Sequence, residues 1–144
     1  MKILDANILL YAYNRAAEQH ERARRWLEDA LTGPAPIALC WPTILAFMRI
    51  CTSSRAMSRP ISIVDARAIV DSWLSVSNVT IVLPTDRHWE ILGRMLVAGQ
   101  ASGPLVSDAH LAALAIEHGA TLVTNDRDFA RFSDLRVEYP LMAA

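Results

Sequence analysis

Two kinds of pattern alternate along the chain: short apolar runs, and longer stretches with apolar residues at helical spacing. Their order predicts the architecture. Lys2 to Leu4 reads as a short buried strand running straight into Asp5-Ala6-Asn7 and a helical turn. Between Glu18 and Leu31, apolar residues fall at Ala23, Trp26, Leu27, Ala30 and Leu31, which puts one stripe of a helix against a core. Gly33-Pro34 stops that helix. Pro36 to Leu39 predicts a short strand, and Trp41-Pro42 opens an apolar helix through Ile50. A further helix carries Ala66, Ile69, Val70, Trp73 and Leu74 on one face, with Ser62 as its N-cap. Val79 to Leu83 is a strand ended by Pro84, and Asp86 to Val97 and Asp108 to Glu117 are helices, the second closed by Gly119. Ala120 to Thr124 is the clearest strand, and Arg136 to Glu138 reads as a last edge strand.

Strands that alternate with helices imply a mostly parallel sheet covered on both faces, a three-layer α/β/α arrangement. Such sheets place their sites beyond the carboxyl ends of the strands. No internal repeat, low-complexity tract or linker interrupts residues 1–144, so a single domain is expected.

Composition narrows the picture. At 53% hydrophobic and 20% charged residues, the 144-residue chain has material for a real core, which excludes disorder. Its apolar stretches fall short of the ~20 residues a membrane span needs. The acid at position 5 argues against a signal peptide. With only Cys40 and Cys51, neither a disulfide framework nor a zinc cluster is expected, and the setting predicted is the cytoplasm. The formal net charge is −1, so charge alone would not hold a nucleic acid. Lys2 is the only lysine; the remaining basic residues, histidines aside, are arginines, which suits bidentate phosphate contacts but fits a compositional bias equally well.

Unusual polar residues do stand at the expected edge. Asp5 follows the first strand, Asp126 and Asp128 follow the strand at Ala120 to Thr124, and Asp108 lies at the N-terminal turn of the helix before it. If the first and late strands are neighbours, four carboxylates converge, and their repulsion calls for raised pKa values or a cation. Carboxylates without nearby Cys or His favour a hard ion such as Mg²⁺ or Mn²⁺, whose chemistry suits phosphodiester hydrolysis. Singly, each acid has a plainer explanation. Asp5 and Asp108 fit helix caps or dipole partners, and Asn125-Asp126 fits a polar turn. His20, His88, His110 and His118 have no metal-helix spacing and read as surface or satisfied residues, and Trp26, Trp73 and Trp89 read as core or interface.

Three segments resemble PIN-domain ribonucleases: Ile3-Leu4-Asp5-Ala6-Asn7-Ile8-Leu9-Leu10-Tyr11-Ala12, Ser107-Asp108-Ala109-His110-Leu111-Ala112-Ala113-Leu114-Ala115, and Gly119 to Phe129. Their order and spacing agree with that family over the whole chain. Trp41 to Ile50 narrows the similarity to the VapC toxins of toxin–antitoxin modules, notably the mycobacterial group. The resemblance implies a Mg²⁺-dependent endoribonuclease, with Mn²⁺ able to substitute. It also implies a PIN-like fold, an RNA substrate, a small VapB-type antitoxin and a homodimer. Carried over by motif, Asp5, Asp108 and Asp126 become catalytic metal-binding carboxylates, Asp128 a supporting catalytic carboxylate, and Asn7 and Thr124 polar supports.

One departure matters. Many members carry a glutamate near the positions of Ala46 and Phe47, whereas no acid occurs here between Asp29 and Asp65. The number of ions therefore stays open, with Thr43, a water or another acid available to fill the gap. Arg49 in the same helix could orient a carboxylate, contact a phosphate or make a structural salt bridge. Arg55, Arg127 and Arg131 are further candidates to meet phosphates. The missing glutamate also motivates an alternative, a PIN-like RNA- or protein-binding module with little catalysis. A receiver-type phosphotransfer protein fits less well, because no lysine follows Lys2.

Overall fold

The computed structural model describes residues 1–142. Five strands form one sheet in the order β3-β2-β1-β4-β5, every pair parallel: β1 (Lys2–Leu4), β2 (Ile37–Leu39), β3 (Val79–Ile81), β4 (Thr121–Val123) and β5 (Val137–Glu138). The helices are α1 (Ala6–Tyr13), α2 (His20–Thr32), α3 (Trp41–Cys51), α4 (Ile63–Leu74), α5 (His88–Ala98) and α6 (Leu105–Glu117). A 3₁₀ helix spans Arg127–Arg131. The expected mixture of strands and helices is present, and the sheet is parallel throughout.

Alternation along each strand divides the core in two. Leu4, Ile37, Leu39 and Val123 face the layer built from α1 to α4, while Ile3, Ala38 and Leu122 face α5, α6 and the 3₁₀ helix. In the first layer Phe47 and Trp73 pack edge to face with centroids 4.7 Å apart. The Trp73 indole N–H reaches the Tyr13 hydroxyl at 3.2 Å, so the buried tryptophan keeps its one polar group satisfied. In the second layer Gly99 ends α5 against Phe132; a Cβ there would come within 2.6 Å of that ring and 2.7 Å of the Met95 carbonyl, which only glycine avoids.

Caps set several boundaries. The Ser62 hydroxyl accepts from Asp65 N–H at 3.1 Å and starts α4 as expected. Gly119, at φ +63, turns the chain from α6 into β4. Other helices shift relative to the sequence pattern. Pro104 precedes α6, so Asp108 sits inside its first turn rather than at its entrance. Thr85 to Arg87 form a turn, and α5 begins at His88. Strand β3 stops at Ile81 and β5 contracts to two residues. Among the described residues, no helix is long and apolar enough to cross a membrane. Cys40 and Cys51 are both free and buried.

Candidate active site

Strand pairing creates the site. β1 lies beside β4 with Leu4 opposite Val123, and Asp5 N–H continues the ladder to the Val123 carbonyl at 2.9 Å. Asp5 and Thr124, the residues that follow these partners, therefore leave the sheet side by side. Thr124 is fully buried, and its hydroxyl donates to Asp5 Oδ2 at 2.7 Å. The same oxygen of Thr124 accepts from Asn7 Nδ2 at 3.2 Å and from Asp126 N–H at 3.0 Å. Asn7 also donates to Asp5 Oδ2 at 3.1 Å, and its Oδ1 accepts from Asn125 N–H at 3.1 Å. Asn7 and Thr124 thus clamp the two strand exits together.

The plainer roles are real as well. Asp5 Oδ1 accepts from Ala6 N–H at 2.7 Å and caps α1. Asp126 Oδ1 accepts from Asp128 N–H at 2.9 Å and caps the 3₁₀ helix, with Asp128 exposed in its first turn. Capping leaves oxygen lone pairs over, so a cap and an ion ligand are compatible on one carboxylate.

Electrostatics ties the acids to one another. Burial lifts the Asp5 carboxyl above its usual range; the Thr124 hydroxyl and Ala6 N–H oppose this, Asp126 adds repulsion, and Asn7 opposes again. Asp108 is raised to about 6, first by burial and then by the charges of Asp5, Asp126 and Asp128, with Arg131 working the other way. Three carboxylates distant from Asp108 in sequence therefore act on that one group.

A hard divalent ion fits this donor chemistry: several oxygen acids, partly buried and mutually repelling, with no thiol or imidazole bound into their hydrogen-bond network. Among the described residues, however, no three Asp, Glu, His or Cys side chains are gathered closely enough to hold an ion as they stand. The charge demand is built in; the final closing of ligands is not.

The candidate arginines separate. Arg131 donates to the Gly99 carbonyl at 3.0 Å and is the cation that acts on Asp108. Arg127 lies 5.7 Å from the Tyr139 ring centroid, and Tyr139 in turn senses Asp126. Arg49 is exposed in the last turn of α3, and Arg55 is exposed beyond it; neither forms a salt bridge among the described residues. Thr43 is buried with its hydroxyl 3.3 Å from the Cys40 thiol. Trp73 is core, but Trp89 is 76% exposed.

Two features escape sequence reasoning. His88 bridges Glu117 at 2.7 Å and His110 at 2.9 Å, and Thr85 N–H donates to Glu117 at 2.7 Å. The histidines are satisfied, as read, yet they are coupled across α5 and α6. Burial and His88 lower the pKa of His110, with Glu117 opposing. Tyr139 is the second: it reaches the acidic edge from β5, and no spacing in the chain points to it.

Residues 2–135 match the PIN domain family. The chain is 44% identical over 140 residues to ribonuclease VapC37 of Mycobacterium tuberculosis, covering 97% of each. It is 42% identical over 142 residues to ribonuclease VapC33 of the same species, covering 98% of this chain and 99% of that one. Its fold is similar to the crystal structure of M. tuberculosis VapC20, a sarcin–ricin loop cleaving toxin, with TM-score 0.65 and 18% identity over 94% of this chain and 99% of that one. VapBC2 from Rickettsia felis, solved on a DNA fragment from its promoter, gives TM-score 0.65 and 22% identity over 95% and 96%.

Proposed function

This chain belongs to the PIN-domain family, and we propose that the acids at its sheet edge form the active site of a metal-dependent endoribonuclease. The protein is a VapC-type ribonuclease, the toxin of a toxin–antitoxin pair, and its partner is a VapB-like antitoxin. Relatives that carry the ribonuclease VapC name align over nearly their whole length. The cytoplasm is the compartment proposed for it, and the homodimer the assembly.

The observation that carries the site is the Thr124 hydroxyl joining Asp5 and the Asp126 backbone at adjacent strand exits, where burial and the acids Asp5, Asp126 and Asp128 also raise the Asp108 carboxyl. Asp5, Asp108 and Asp126 are the residues proposed to hold Mg²⁺, or Mn²⁺ in its place, with Asp128 in support. Such an ion would offset their repulsion, polarise a phosphoryl oxygen and acidify water. The protein's own groups do the rest. Thr124 and Asn7 orient Asp5 through the hydrogen bonds they give it. With its carboxyl raised to about 6 by burial and the neighbouring acids, Asp108 would give up its proton on holding an ion. Arg131 brings positive charge beside Asp108, where an RNA phosphate must approach a negative pocket.

Cleavage of structured RNA in Mg²⁺ or Mn²⁺ by wild type, Asp5→Ala and Asp108→Ala tests this reading. Wild type should cut and stop on chelation, and each variant should lose more than about 100-fold, beyond the cost of removing an outer-shell partner. Equal activity in all three would remove the mechanism. RNA binding without cutting by any of them would favour the binding-module alternative.

A further inference from the structure

Tyr139 follows β5 on the acidic edge. Glu138 lies opposite Val123, and Thr124 N–H donates to the Glu138 carbonyl at 3.1 Å, which sets Tyr139 at the exit of β4. Its hydroxyl oxygen is buried and has no hydrogen-bond partner among the described residues. A buried hydroxyl in that state has given up its hydration without a replacement, and native folds rarely leave one so without a reason.

Two charges bracket this phenol. The Arg127 guanidinium lies 5.7 Å from the ring centroid. Burial raises the phenol's pKa, Arg127 opposes the rise, and the Asp126 carboxylate is near enough to add to it. The hydroxyl is therefore a donor with a carboxylate close by. Asp126 uses Oδ1 for the Asp128 cap, whereas Oδ2 receives no donor from the described residues.

We propose that Tyr139 is a positioning residue for Asp126. Its hydroxyl donates to Asp126 Oδ2 when that carboxylate turns to take a divalent ion, and so holds the ligand in its binding orientation. An oxygen has lone pairs for both contacts, and partners of this kind fix the direction of metal-binding side chains. The inference rests on the reading that Asp126 binds the ion.

Tyr139→Phe tests it, because the ring and its contact with Arg127 remain while the hydroxyl goes. Two measurements are needed: melting in metal-free buffer, and calorimetric titration with Mn²⁺. The variant should melt at or above wild type without metal, having shed an unpaired buried group, yet bind Mn²⁺ about 10–100-fold more weakly. Mn²⁺ affinity within about twofold of wild type would overturn the proposal and leave Tyr139 as packing. A lower metal-free melting temperature would also overturn it, since the hydroxyl would then have a structural partner already. Absence of Mn²⁺ binding by wild type would instead bring down the ion reading, and this inference with it.

Discussion

The Thr124 hydroxyl donates a 2.7 Å hydrogen bond to Asp5 Oδ2 across 119 residues of sequence. A single buried oxygen thus joins the end of β1 to the end of β4 and also receives Asp126 N–H. It is the joint on which the two halves of the acidic edge meet.

Thr124→Val keeps the shape of that side chain and removes its polar contacts. Asp126 N–H and Asn7 Nδ2 lose an acceptor and Asp5 loses a donor, so folding stability should fall by about 1–3 kcal/mol. Thr124→Ser should recover most of it. Urea denaturation of the three proteins checks this, and a Val variant as stable as wild type would show that the joint contributes nothing.

Asp108 makes metal-free stability depend on pH in an unusual direction. Its carboxyl moves from an ordinary 3.8 to about 6 on folding, so the folded state binds the extra proton between those values. The stabilisation from that proton is fully present below 3.8 and is lost as pH rises through about 6. Wild type should therefore lose stability relative to Asp108→Asn between pH 4.5 and 7 in chelator, and recover part of it when Mg²⁺ is added. Parallel denaturation profiles for the two proteins would contradict this.

Charge crowding predicts that Asp126→Asn raises the melting temperature without metal. Asparagine retains the oxygen that caps the 3₁₀ helix, so the charge is the main thing lost. Each kcal/mol recovered should appear as about 2–8 °C in a domain of this size. The gain should vanish in Mg²⁺, because only wild type then profits from the ion. Scanning calorimetry with and without Mg²⁺ reads both effects, and a drop in chelator would rule out crowding.

The coupled pair on α5 and α6 should matter for stability and not for cleavage. The Glu117 side chain is almost fully buried and holds His88, so Glu117→Ala leaves the imidazole without its acceptor. A loss of about 1–3 kcal/mol is expected, with RNA cleavage unchanged at a temperature where the variant is folded. Loss of cleavage in the folded variant would place this network in the catalytic machinery.

What the chain discloses before folding depends on the range of each interaction. Ser62, Gly119 and the apolar run at Ala120 to Thr124 act locally, so their caps, stops and strand are readable from neighbours in sequence. Asp5 and Asp126 are readable because a parallel sheet has a known functional edge, Asp5 directly after β1 and Asp126 three residues past the end of β4. Asp108 is found for the same reason, although Pro104 starts its helix earlier than the polar pattern suggests. His88, His110 and Glu117 meet across gaps of 22 and 29 residues with no periodic signal, so their coupling emerges only from helix packing. Tyr139 is hidden likewise, since its role depends on β5 adding to the outer side of β4. The closing of the carboxylates on an ion was not legible either, because charge patterns state a demand without stating a geometry.

Crystals soaked in Mn²⁺ and measured at the manganese absorption edge would locate the ion directly. An anomalous peak within bonding distance of Asp5, Asp108 and Asp126, absent in Asp126→Asn, is the predicted result. A peak at the His88–Glu117 pair, or no ordered manganese in wild type, would contradict the cradle on which the nuclease reading stands.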